Sequence, residues 1–359
     1  MSLLDSLKSI FAKDARKQAY VFIPHGNLEN PNFSGEPLEA GRHYFRLWLA
    51  EMFLEKEIDW FSEWYPVTHT LVTFQFGDQT LEIPHVAGAS QLKGLTEGNL
   101  QKLISLNYPL TTLMPFNGGV VDIVAALVAM KGKDYISSVV KVLGDLSQLL
   151  VVPQLSAALS LALPIANGVQ DLLSGSAGEM RLGMHQALVG KGGAGSNLLR
   201  GGYITVIDAP AEDYPEAKLF VKQDRLYFGD TMAVSQLLTG VTHMLFRIEP
   251  WDKRDDWTSL KTIQEPLDEM HRMLVEGEDE KADLAKKRAI IMAKTSPDLT
   301  RADRNRVALA IKEEFDQAKA GGLGAVPAGD HTLNSLMLRR GISAADALNN
   351  EPSWEQLMS

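Results

Sequence analysis

Four groups of residues in this chain have the types and spacing that chemistry needs. The first is Lys191-Gly192-Gly193-Ala194-Gly195-Ser196-Asn197. Glycine amides in such a loop cradle phosphate oxygens and a lysine neutralises them. Here Ser196 and Asn197 stand where a phosphate loop needs Lys followed by Ser or Thr, and the next element reads as a strand over 202–208. Without a following helix N-terminus the anion site loses its dipole. The stretch is therefore expected to be a flexible hairpin loop, with no nucleotide or other cofactor bound.

The second group is Asp208, Glu216 and Lys218. Two carboxylates that hold a divalent ion, with a lysine to orient water, would serve a metal-dependent hydrolase. Pro210 and Pro215 lie between them, however, and acids beside turns are common. The third group is histidine. None of the eight forms an HxH or HExxH cluster, and no cysteine is present to complete a zinc site. His69 and His85 flank a hairpin signal and are expected to lie nearly opposite one another as a solvated cross-strand pair. The fourth is the charged loop of 251–257, in which Trp251, Arg254 and Trp257 are either partner anchors or indoles packed at a domain junction.

These groups must be positioned by a chain of 359 residues that is 45% hydrophobic, carries a formal charge of -10 and has no cysteine. It can bury a full core. The acidity argues against nucleic acid as a partner, and the missing cysteines fit a reducing cytoplasm. The opening MSLLDSLKSIFAKDARK has Asp5 and Lys8 inside its apolar pattern. It reads as a short amphipathic helix over 2–11, not a signal peptide.

Charge divides the chain: 7 charged residues fall between Leu103 and Gly178, against 30 between Trp251 and Ala320. The first segment contains an uncharged run over 146–170. As continuous helix it would reach roughly 37 Å, enough to cross a hydrocarbon layer of roughly 30 Å. Pro153 and Pro164 interrupt it, and its boundary charges are Asp145 and Asp171. It is expected to be buried core, with Leu149, Val151, Leu155, Leu159 and Leu163 as its membrane-seeking face should it ever leave that core.

Apolar periodicity predicts a strand over 19–24, an ambiguous aromatic stretch over 44–65, and a hairpin of 67–76 with 80–86. Helices are expected over 119–130 and 135–150, then strands over 181–189, 202–208, 219–222, 225–228 and 241–248, the last half-buried. Three charged helices follow, over 259–275, 278–294 and 301–320, the third capped by Thr300. The fold class is α+β: antiparallel β-elements around a central apolar helical subdomain, followed by a charged C-terminal helical region. The divisions are 1–114 amphipathic and β-rich, 115–174 apolar helical, 175–250 antiparallel β, 251–322 charged helical, and a partner-binding tail over 323–359. In that tail Leu333, Leu336, Trp354 and Leu357 are the candidate contacts.

No reaction class gathers these polar residues. The expected function is a non-catalytic interaction or adaptor subunit of a bacterial-type cytoplasmic assembly, a homo- or hetero-oligomer with other proteins as partners. The alternatives are a membrane-acting effector that shelters 115–173 until activation, peripheral to the membrane, and a metal-dependent hydrolase with a non-local carboxylate site.

Overall fold

The computed structural model describes residues 18–55, 64–87, 104–131, 154–155, 178–195, 197–321 and 352–358. Its strands are β1 (Ala19–Phe22), β2 (Tyr44–Phe53), β3 (Trp64–Phe76), β4 (Gln79–Ala87), β5 (Ile104–Pro109), β6 (Met114–Pro115), β7 (Val120–Lys131), β8 (Gly178–Val189), β9 (Gly202–Ile207), β10 (Leu219–Lys222), β11 (Arg225–Phe228), β12 (Gln236–Leu237) and β13 (His243–Trp251). The helices are α1 (Lys261–Val275), α2 (Asp279–Thr295), α3 (Arg301–Gly321) and α4 (Trp354–Met358). Antiparallel sheets followed by helices make the chain α+β. No described helix is long and apolar enough to cross a membrane.

Three sheets stack. A four-stranded sheet in the order β4-β3-β7-β8 packs on a six-stranded sheet running β1-β9-β13-β2-β5, with β6 beside β2. Between them lies one apolar core that includes Phe45, Met52, Val72, Phe74, Ile123, Leu182, Met184, Met244 and Phe246. The rings of Phe45 and Phe74 meet edge to face at 5.9 Å. The small sheet β10-β11-β12 covers the opposite face of the six-stranded sheet, with Val21, Ala50, Ile207, Val221, Leu226 and Leu245 between. Strand β13 therefore buries both faces, Met244, Phe246 and Ile248 on one side and Leu245 on the other. This corrects the expectation of a half-buried strand over 241–248.

A second correction concerns 119–130, which forms strand β7 and not a helix. Strand β7 is paired on both edges, by β3 and β8, and apolar residues line both its faces. Its sequence therefore shows no period of two, and its alanines imitate helix. An apolar helical subdomain over 115–174 thus does not begin at 115. Of the uncharged run, only Gln154 and Leu155 are described. Leu155 is 4% exposed and belongs to the sandwich core. Gln154 accepts from the Lys261 amide at 3.0 Å and donates to Thr262 Oγ1 at 3.0 Å, satisfying the open start of α1 from a distance. The expected helices over 2–11 and 135–150, and Leu149, Val151, Leu159 and Leu163, lie outside the described residues.

Helices α1, α2 and α3 meet where α1 offers Ile263, Met270 and Met273, α2 an alanine stripe of Ala282, Ala285, Ala289 and Ala293, and α3 Val307, Ile311 and Phe315. Thr300 Oγ1 accepts from the Asp303 amide at 3.3 Å and caps α3 as its sequence predicts. The far end of the tail returns to this bundle, because Leu357 of α4 is fully buried in it. Part of the tail is thereby committed to the chain's own helices. Leu357→Ala is expected to lower bundle stability by about 2 kcal/mol, read as a fall in urea midpoint at unchanged slope. A midpoint equal to wild type would show that α4 contributes nothing to the fold.

A buried carboxylate stands at the junction of the helices and the sandwich. Asp303 accepts from the Tyr44 hydroxyl at 2.7 Å, the Arg254 amide at 2.7 Å and Arg306 Nε at 2.6 Å. The same Tyr44 oxygen accepts from the Thr300 amide at 3.0 Å. Burial and the neighbouring Asp303 charge hold the Tyr44 hydroxyl well above the usual phenol range, so it stays a donor.

Candidate functional site

The face of the six-stranded sheet that bears the small sheet carries a cross-strand row at one end. Register places Tyr203 of β9, Arg247 of β13 and Trp48 of β2 side by side. The next row along β13 pairs Glu249 with Arg46 of β2, and the last pairs Trp251 with Tyr44. Alternation along a strand forces these residues onto one face, opposite the apolar set of Phe246 and Ile248.

Above this row sits the turn between β10 and β11. Its two residues, Gln223 and Asp224, both have positive φ, 50° and 60°, the geometry that matches the twist of a two-residue hairpin but that side chains disfavour. The conformation is kept because Asp224 is held from two sides. It accepts from the Tyr203 hydroxyl and from Arg247 Nη1, the latter at 2.6 Å. Burial and the Asp224 hydrogen bond together raise the Tyr203 hydroxyl far above its ordinary range. The Arg247 guanidinium lies over the Trp48 ring at 4.7 Å, and the indole N–H of Trp48 donates to Glu249 Oε2 at 2.7 Å.

The third wall is the segment 28–33 after β1. Asn27 Nδ2 donates to the carbonyls of Leu219 at 2.9 Å and Glu216 at 3.1 Å, and the Glu29 amide donates to Val221 O at 2.9 Å. His25 Nε2 lies 2.8 Å from Phe33 O. Gly201 is required beneath it, since a Cβ there would come within 2.8 Å of Pro250 and 3.0 Å of Phe33. Between these three walls is a cavity of about 530 Å³, lined by Glu29, Asn30, Asn32, Phe33, Asp224, Arg247, Glu249 and Trp251 among others. Among the described residues four non-glycine residues have positive φ, and three of them, Asn30, Gln223 and Asp224, line this cavity. Strain of this kind is retained where surrounding structure fixes it, and it gathers at binding sites.

One residue past Asp224 the hairpin turns inward. Arg225 Nε lies 3.4 Å from Glu51 Oε2, and Glu51 Oε1 lies 2.9 Å from His243 Nε2. Glu51 and His243 are both fully buried. The other ring nitrogen of His243 meets Val241 O at 2.9 Å, so both ring nitrogens face oxygen acceptors. This pair has no opening to the cavity; its role is to seat the hairpin that carries Asp224.

The residues singled out from sequence are dispersed. Trp251, 42% exposed, stands at the cavity rim. Arg254 is buried, with Nε 2.7 Å from Asp256, and Trp257 is buried in the helical bundle. Trp354 is 50% exposed, with the Lys294 ammonium 5.8 Å from its ring. Leu333 and Leu336 lie outside the described residues. Lys191 opens a turn, reaches Glu39, and is followed through 197–200 by strand β9. Lys218 pairs with Asp230 at 2.7 Å, while Asp208 closes β9 against Thr242 O. Among the described residues no three His, Asp or Glu side chains converge where an ion would sit.

The histidine expectation is corrected. Phe76 pairs with Gln79, so the turn has two residues and His69 lies opposite Val86 while His85 lies opposite Thr70. The rings point to opposite faces of the sheet, and both are buried. The chain matches no protein-family model, no curated protein and no solved structure.

Proposed function

We propose that the chain is a non-catalytic recognition subunit of a cytoplasmic multiprotein assembly, and that it meets its partner at the cavity beneath Trp251. The observation that supports this most is an exposed indole beside a preformed, hydrogen-bonded cavity. Trp is the residue most often responsible for binding energy at an interface, and a pinned pocket avoids the entropic cost of ordering a loop on contact. Polar contacts within the cavity fix its shape: Asp224 accepts from Tyr203 and Arg247, and one oxygen of Glu249 accepts from Trp48. Among the described residues Trp354 is the second exposed indole, on the helical bundle.

Trp251→Ala is expected to weaken partner capture about thirtyfold or more, a loss of roughly 2 kcal/mol, while the melting temperature stays near wild type. Pull-downs from the native cells with wild type, Trp251→Ala and Trp354→Ala measure this. Identical co-purifying proteins for wild type and Trp251→Ala would refute the reading.

A further inference from the structure

We infer that the cavity takes a basic side chain, an arginine or lysine presented on a peptide segment of the partner. The inference rests on the cavity being a recognition site and goes on to name the chemistry it recognises. Three carboxylates, Glu29, Asp224 and Glu249, line it against a single guanidinium, Arg247. That guanidinium is already committed, paired to Asp224 at 2.6 Å and laid over Trp48 at 4.7 Å. Glu29 and Glu249 therefore set the sign of the cavity. Glu249 accepts the Trp48 indole N–H through Oε2, which leaves its other oxygen to receive a donor.

Aromatic rings complete the match. A cation placed over an indole gains from the ring quadrupole, and Trp is the best ring for it. Trp251 offers such a face at the rim, and Phe33 lines the same cavity. The interior already contains this arrangement, with Arg247 and Arg46 over Trp48 at 4.7 and 5.6 Å. Asn30, Asn32 and Gln223 add amide oxygens along the same walls, which can accept the remaining N–H groups of a guanidinium. An incoming carboxylate or phosphate would meet Glu29 and Glu249 on the cavity walls instead. The chain's charge of -10 adds a long-range pull on basic partners.

The test uses the full chain and two labelled Gly-Ser peptides, one bearing two arginines and the other two citrullines, which keep the shape and lose the charge. The arginine peptide is expected to bind at least about tenfold more tightly, roughly 1.4 kcal/mol, with the advantage shrinking as salt is raised. Glu249→Gln combined with Glu29→Gln is expected to remove that advantage. The glutamine at 249 still accepts the Trp48 N–H, so the wall is preserved and an unchanged melting curve confirms it. Equal binding of the two peptides, or an arginine preference untouched by the double substitution, overturns the inference. If Trp251→Ala abolishes partner capture while the glutamine variants capture normally, the recognition site stands and its cation selectivity falls.

Discussion

Asp303→Ala is expected to destabilise the chain by about 3–5 kcal/mol, the largest effect of any single substitution at the junction of sheets and helices. The carboxylate is 1% exposed and receives three donors, from Tyr44, Arg254 and Arg306. Its removal takes the buried counter-charge from the Arg306 guanidinium, whose side chain is only 4% exposed, and leaves it the Arg254 carbonyl at 2.8 Å. Asp255 cannot substitute, since its oxygen lies 3.7 Å from Arg306 Nη1 and is itself 48% exposed. Asp255→Ala is therefore the control and should shift stability by less than about 1 kcal/mol. Thermal melting distinguishes the two: a steep fall for Asp303→Ala with loss of helix and sheet together marks a shared junction. Equal melting of both variants would show that Asp303 is dispensable.

Acidification is expected to be nearly as damaging. Burial pushes His69 down to about 4 and His85 down to about 3, against an opposing contribution from the Val86 backbone at His85. Among the described residues none makes a hydrogen bond of full geometry to either ring, and Tyr108 meets His85 edge-on at 5.1 Å. Both folded values lie below the ordinary histidine value of 6.5. Between pH 6.5 and the folded values the unfolded chain binds more protons than the folded one, so stability rises with pH. It is full above about pH 7 and is lost as pH falls toward 4. Charging both buried rings is expected to cost the fold several kcal/mol, on the order of 1.4 kcal/mol for each tenfold change in proton affinity. Urea midpoints measured from pH 7.5 to 4.5 should fall steeply for wild type. His69→Gln with His85→Leu should flatten that slope, whatever their stability at neutral pH, and an unchanged slope would show that other groups govern acid stability.

The two histidines also show where sequence reading stops. Gly77 and Asp78 between alternating strands were legible as a hairpin, and Gly77 indeed adopts a φ of 59°. A shift of one residue in the pairing is invisible in the pattern, yet it sends His69 and His85 to opposite faces. Helices α1 to α3 were legible because they are long, solvated on one side and, for α3, capped by Thr300. Strand β7 was not, because a strand buried on both faces loses its alternation. The cavity escaped for another reason. Its walls come from 28–33, Tyr203, 221–224 and 247–251, segments that only the sheet register brings together. The local signals were Trp251 and the two-residue gap at Gln223 and Asp224, too slight without a glycine to mark a tight turn.

The account turns on Trp251 as the point of contact with a partner, and a photo-crosslinking residue placed there tests it most directly. With benzoylphenylalanine at 251, illumination of the native cells should yield one dominant heavier adduct. The same residue at Val275, 70% exposed at the end of α1, should yield none. Matching adducts from both positions, or none from 251, would contradict the account.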